Sequence, residues 1–83
     1  MKVTLYAKPE CGLCNELKEV LAHLQQEIEF VVEEQNIEHD PVNYERFRYL
    51  IPVLNIENGQ LLYPPHNFNS VRSALLSVYT DGQ

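Results

Sequence analysis

The sequence holds no cluster of lysine and arginine, no long apolar run and only two cysteines. Its 6 Lys+Arg are set against 12 Asp+Glu, a formal charge of −6. Such a surface repels the phosphates of nucleic acids and of anionic lipids, so neither is an expected partner. Apolar stretches such as Tyr49-Leu50-Ile51-Pro52-Val53-Leu54 fall far short of the roughly 20 residues of a membrane-crossing helix. A secretory leader is not expected either, because Lys2 is followed by a strand-like segment and then by charge. Cytoplasmic residence is the default that follows, and in that compartment a cysteine pair is more often catalytic or metal-binding than a structural staple. Repeats and low-complexity tracts are also missing. With 83 residues, 45% apolar and 22% charged, the chain reads as one ordinary globular domain over residues 1–83, with a modest core and room for one site.

What is present has a clear order. Val3-Thr4-Leu5-Tyr6 reads as a first strand that ends before Lys8-Pro9-Glu10. Apolar residues then fall at Leu17, Val20, Leu21 and Leu24, a helical stripe from Leu13 to about Gln26. Ile28-Glu29-Phe30-Val31-Val32 reads as a second strand, parallel to the first through a right-handed crossover. Asp40 can cap a second helix, Pro41 suits its first position, and Tyr44, Phe47 and Leu50/Ile51 are spaced to face a core before Pro52 stops it. Val53 to Ile56 and Leu61 to Tyr63 flank Glu57-Asn58-Gly59-Gln60, an Asn-Gly hairpin signal. A last helix starts near Asn67 or Asn69, carries Val71, Leu75, Val78 and Tyr79 on one stripe, and frays around Thr80-Asp81-Gly82. The order is βαβαββα, an α/β fold.

Both cysteines lie in Cys11-Gly12-Leu13-Cys14, between the first strand and the first helix. This context reads as a dithiol/disulfide redox centre. Cys11 is expected at the start of the helix, where unpaired N–H groups and the positive end of the dipole stabilise a thiolate. Cys14, three residues on, lies on the same side and near enough to close a disulfide. Cys11 is then the attacking sulfur and Cys14 the resolving one. Lys8 offers positive charge near the thiolate or a hold on a substrate carboxylate, against a plain reading as a solvated lysine. Glu10 opposes the thiolate if its carboxylate turns toward the sulfur. A zinc site would need two more ligands, and His23, His39 and His66 lack the close spacing of finger-like sites. His23 is expected on the outer surface of its helix, His39 and His66 in solvated connections.

Tyr6-Ala7-Lys8-Pro9-Glu10-Cys11-Gly12-Leu13-Cys14, Ile51-Pro52-Val53 and the βαβαββα order together resemble a glutaredoxin, within the thioredoxin fold, over nearly the whole chain. Asp40-Pro41 followed by Ile51-Pro52-Val53-Leu54 is similar to a small glutaredoxin-like family. The resemblance implies a four-stranded mixed sheet in order 2-1-3-4 flanked by three helices, with the third strand antiparallel to the first. It also implies Cys11 as nucleophile, Cys14 as resolving thiol and Pro52 as a cis proline beside them. Ile51 would present its backbone to a bound thiol peptide, and Lys8 matches the family's lysine that meets a glutathione carboxylate. Two departures stand out: Tyr63-Pro64-Pro65-His66-Asn67 replaces the family's Gly-Gly pair, and Gly12-Leu13 replaces the Pro-Tyr between its cysteines.

The expected function is that of a thiol–disulfide oxidoreductase in electron transport, acting on a disulfide-containing protein or a small thiol substrate. Its reductant is either glutathione or a thioredoxin reductase. No tightly bound cofactor is expected, and a monomer is. Two other functions use the same sequence features: a metal or iron–sulfur carrier holding its cargo on Cys11 and Cys14 across two chains, and a redox-silent binding module docking through Tyr63-Pro64-Pro65.

Overall fold

The computed structural model describes residues 1–81, and side-chain surroundings for residues 1–79. Its elements are β1 (Lys2–Ala7), α1 (Gly12–Leu24), β2 (Val31–Asn36), a short 3-10 turn (Ile37–His39), α2 (Pro41–Phe47), β3 (Val53–Ile56), β4 (Leu61–Leu62) and α3 (Phe68–Asp81). The four strands form one sheet in the order β2-β1-β3-β4. β1 runs parallel to β2, and β3 lies antiparallel to both β1 and β4. This is the expected mixed sheet, and its central strand β1 delivers the cysteine motif from its end.

Alternation along β1 and β3 divides the molecule into two faces. Val3, Leu5 and Ala7 point with Leu54 and Ile56 into the main core. There they meet Cys14, Leu17, Leu21 and Leu24 of α1 and Val71, Ala74 and Leu75 of α3. On the opposite face Tyr6 and Val53 pack with Ile37, Phe47, Ile51 and Leu61, and the Tyr6 and Phe47 rings lie 4.7 Å apart. The rest of that face, with Lys2, Thr4, Glu33, Asn55 and Glu57, stays polar because α2 is too short to cover it. Lys2 and Glu33 pair across it at 3.3 Å.

Capping sets the helix boundaries. Asp40 Oδ1 accepts from the Val42 N–H at 2.9 Å, with Pro41 in the first helical position of α2. At α3, Asn67 Oδ1 accepts from the Ser70 N–H at 2.8 Å and Ser70 Oγ accepts from the Asn67 N–H at 3.3 Å, a reciprocal cap. The helix is described through Asp81; Gly82, included in the expected fraying end, lies outside the described residues.

Several expectations shift. The second strand begins at Val31, not Ile28. Ile28 and Phe30 are buried because they close the exit of α1, where the Ile28 N–H donates to Leu24 O at 2.9 Å and Gln25 Nε2 donates to Phe30 O at 3.1 Å. The strand itself continues through Glu33-Glu34-Gln35-Asn36 as a charged sheet edge, a pattern that discourages pairing with another chain. α1 ends at Leu24, slightly short of Gln26. α2 ends at Phe47, not at Pro52, and only Phe47 in it is buried; Tyr44 is exposed, and Leu50 and Ile51, expected on the helical stripe, lie beyond the helix, exposed and half-buried. Tyr79 is exposed as well. β4 stops at Leu62, before the prolines, which have no N–H to continue a ladder.

The β3–β4 turn explains its glycine by close approach. Asn58 takes the left-handed conformation (φ 63°) and the Gly59 N–H donates to Ile56 O at 2.8 Å. A Cβ on Gly59 would stand 2.7 Å from Val78 Cγ2 of α3 and 3.1 Å from Ile56 Cγ2. Gly59→Ala is therefore expected to destabilise the fold by about 1–3 kcal/mol through overpacking. Urea unfolding would measure it, and the loss should shrink in a Val78→Ala background, where the closest contact is removed and only the tight approach to Ile56 is left.

Candidate active site

The turn from β1 to α1 sets the two cysteines apart in environment. Glu10 adopts the left-handed conformation (φ 59°), which swings the chain out of the strand so that Cys11, with extended backbone, becomes the N-cap of α1. Cys11 Sγ accepts a hydrogen bond from the Cys14 N–H at 3.2 Å. That N–H belongs to the first helical turn, whose amides have no carbonyl partners within the helix. Cys11 is half-buried, whereas Cys14 is 1% exposed and belongs to the main core. The two form a disulfide with their Cα atoms 5.2 Å apart.

The same hydrogen bond suits the reduced form. A thiolate on Cys11 would accept it with a full negative charge, at the positive end of a 13-residue helix. Gly12 and Leu13, between the cysteines, face outward: a Cβ at Gly12 would meet nothing within 4 Å, and Leu13 is 60% exposed.

The Ile51–Pro52 peptide bond is cis, and Pro52 is buried at the entrance to β3. Pro52 and Leu13 line one groove of 390 Å³, completed by Glu16, Leu17 and Val20 of α1 and by Pro64, Pro65 and His66 of the segment before α3. Ile51 is half-buried against both hydrophobic clusters. Lys8 lies elsewhere. It is exposed and lines a polar hollow of 130 Å³ with Pro9, Glu10, Asn15, Lys18 and Glu34, where Lys18 and Glu34 pair at 3.0 Å. Thus Pro52 joins the outward residue of the cysteine motif in a shared groove, and Lys8 stands outside that groove's lining.

His66 is the residue that sequence reasoning missed. It was expected in a solvated connection, but it is half-buried and its Nε2 lies 2.7 Å from Pro52 O. A carbonyl oxygen only accepts, so Nε2 carries the proton and donates. His66 therefore ties the segment before α3 to the loop that carries the cis proline. Nothing local in the sequence signals this bond, since the two residues are 14 positions apart. His39 ends the 3-10 turn, and His23 is exposed in the last turn of α1, as expected. Among the described residues no group of three or more His, Cys, Asp or Glu side chains is placed to hold a metal ion, and no helix is long and apolar enough to cross a membrane.

Comparison with known proteins adds two findings. Residues 2–76 match the family model described as Glutaredoxin-like domain (DUF836). The solved structure of target protein XcR50 from X. campestris is similar over 98% of this chain and 97% of its own, at 25% sequence identity and a TM-score of 0.72.

Removing the His66 hydrogen bond leaves a carbonyl without its partner. His66→Ala is expected to lower stability by about 1–2 kcal/mol, read as a shift of the urea midpoint. A loss under about 0.5 kcal/mol would place His66 among ordinary surface positions.

Proposed function

Because the chain belongs to the family of glutaredoxin-like domains, we propose that it is a thiol–disulfide oxidoreductase working through Cys11 and Cys14. The observation that carries this reading is the N–H of Cys14 directed at the sulfur of a half-exposed Cys11, with Cys14 itself buried one helical turn away.

In the reductive direction the Cys11 thiolate attacks one sulfur of a substrate disulfide. A Cys11–substrate disulfide forms, the substrate's S–S bond breaks, and the other substrate sulfur leaves as a thiolate that takes a proton from water. Cys14 then loses its proton and attacks the Cys11 sulfur, which releases the second substrate thiolate and closes the Cys11–Cys14 bond. Two electrons pass from the dithiol to the substrate, which is a disulfide-containing protein or a small thiol in disulfide form. A thiol reductant restores the dithiol by the reverse sequence, and glutathione or a thioredoxin reductase has the chemistry to do so. Such a cycle belongs in the cytoplasm, where reductant is plentiful.

The burial difference supports this division of labour. An outside disulfide can approach Cys11 but not Cys14, whereas Cys14 is held within reach of Cys11 by the helix itself. Pro52, in one groove with Leu13 of the cysteine motif, and the neighbouring Ile51 are proposed to meet the substrate peptide, whereas Lys8 lines a separate polar hollow, where it could meet a substrate carboxylate only outside that groove.

Cys11→Ser is expected to abolish reduction of a mixed-disulfide substrate, whichever reductant is supplied. Cys14→Ser should instead accumulate one covalent substrate adduct on Cys11, visible as a mass increase that dithiothreitol reverses. Equal inactivity of the wild type and Cys11→Ser with glutathione and with thioredoxin reductase would refute the reading.

A further inference from the structure

The groove beside the cysteine motif has a composition that argues for a particular kind of substrate. One wall is α1, with Leu13, Leu17 and Val20; the other is the segment before α3, with Pro64 and the ring of His66. Among the described residues Glu16 supplies the only carboxylate in the lining, and neither lysine nor arginine lines it. His66 already donates its Nε2 proton to Pro52 O. Leu13 stands between the two cysteines and leaves 60% of its surface in water, where burying it against an incoming apolar group is favourable.

Resting on the proposed exchange reaction, we propose that this groove binds a polypeptide substrate with a large apolar side chain and a basic one close to its reacting cysteine. The reach follows from helix geometry. From Leu13 to Val20 the wall extends about 10 Å along α1, at roughly 1.5 Å per residue. An extended peptide covers that distance in about three residues. A leucine, isoleucine or phenylalanine within three positions of the substrate cysteine can therefore lie between α1 and Pro64 while its disulfide meets Cys11. The preferred charge is set by Glu16 and by the formal charge of −6 on the whole chain, both of which favour a neighbouring lysine or arginine. A glutathionyl group offers the opposite match: it is small, lacks a large apolar side chain, and would bring carboxylates toward Glu16. The groove thus selects protein or peptide disulfides, and Lys8, on its separate polar hollow, takes no part in that choice.

Four substrates decide the matter when kcat/KM is measured for each: a disulfide peptide with leucine and lysine beside its cysteine, the same peptide with serine for leucine, the same peptide with glutamate for lysine, and glutathione disulfide. The wild type is expected to favour the leucine–lysine peptide about tenfold over the serine peptide. It should favour it about threefold over the glutamate peptide, since Glu16 is exposed and screened. Glutathione disulfide should fall at or below the glutamate peptide. Val20→Asp should erase the leucine preference, and Glu16→Lys, a surface change that leaves the core untouched, should invert the charge preference. Equal rates for the leucine and serine peptides in the wild type would overturn the groove as a binding site while leaving thiol exchange intact. No exchange with any of the four would remove the exchange reading itself, and this proposal with it.

Discussion

One hydrogen bond organises the candidate site of this domain, the donation from the Cys14 N–H to the Cys11 sulfur at the head of α1. It is possible only because a residue with a sulfur side chain occupies the N-cap, where the amides of the first turn lack carbonyl partners. Everything that holds that turn in place contributes to it. Leu17, Leu21 and Leu24 pin α1 to the sheet, the central strand β1 ends just before the motif, and the left-handed Glu10 makes the bend between them.

The core and the site are continuous through Cys14. Its burial among Ala7, Leu17 and the rest of the main cluster keeps one sulfur out of water, while the other sits at the surface one helical turn away. A small domain with little surplus stability thereby uses a single structural element for two tasks. The buried stripe of α1 holds the fold together, and its N-terminus and outer flank carry the Cys11 cap and one wall of the groove. The second hydrophobic cluster, under α2, supports β3 from the other side and thus the position of Pro52 at its entrance.

Much of the architecture was legible because local signals agreed with one another. Asp40-Pro41 started α2 as expected, Asn58-Gly59 turned the hairpin, and the apolar stripe of α1 pointed inward. The misplaced start of β2 shows where such signals fail. Ile28 and Phe30 are apolar because they seal the end of α1, a tertiary role that mimics the pattern of a buried strand, whereas the true strand is polar because it is a sheet edge. The exposure of Tyr44 in α2 and of Leu50 beyond its end has a similar reason: a helical spacing of apolar residues does not say where the helix stops or whether a core reaches it.

The sequence alone determined the close cysteine pair, its place at a strand-to-helix junction, the order of elements and the family resemblance. Each rests on contacts among residues within a few positions of one another or on patterns with a fixed period. Only the tertiary structure decided that His66 holds the Pro52 loop, that Leu13 and Val20 share a groove with Pro64, and that Lys8 lies outside it. The first of those relations spans 14 positions and the second more than 40, and chain folding brings the segments together through packing of α1 and α3 on one sheet face. No local pattern encodes which side chains will meet there.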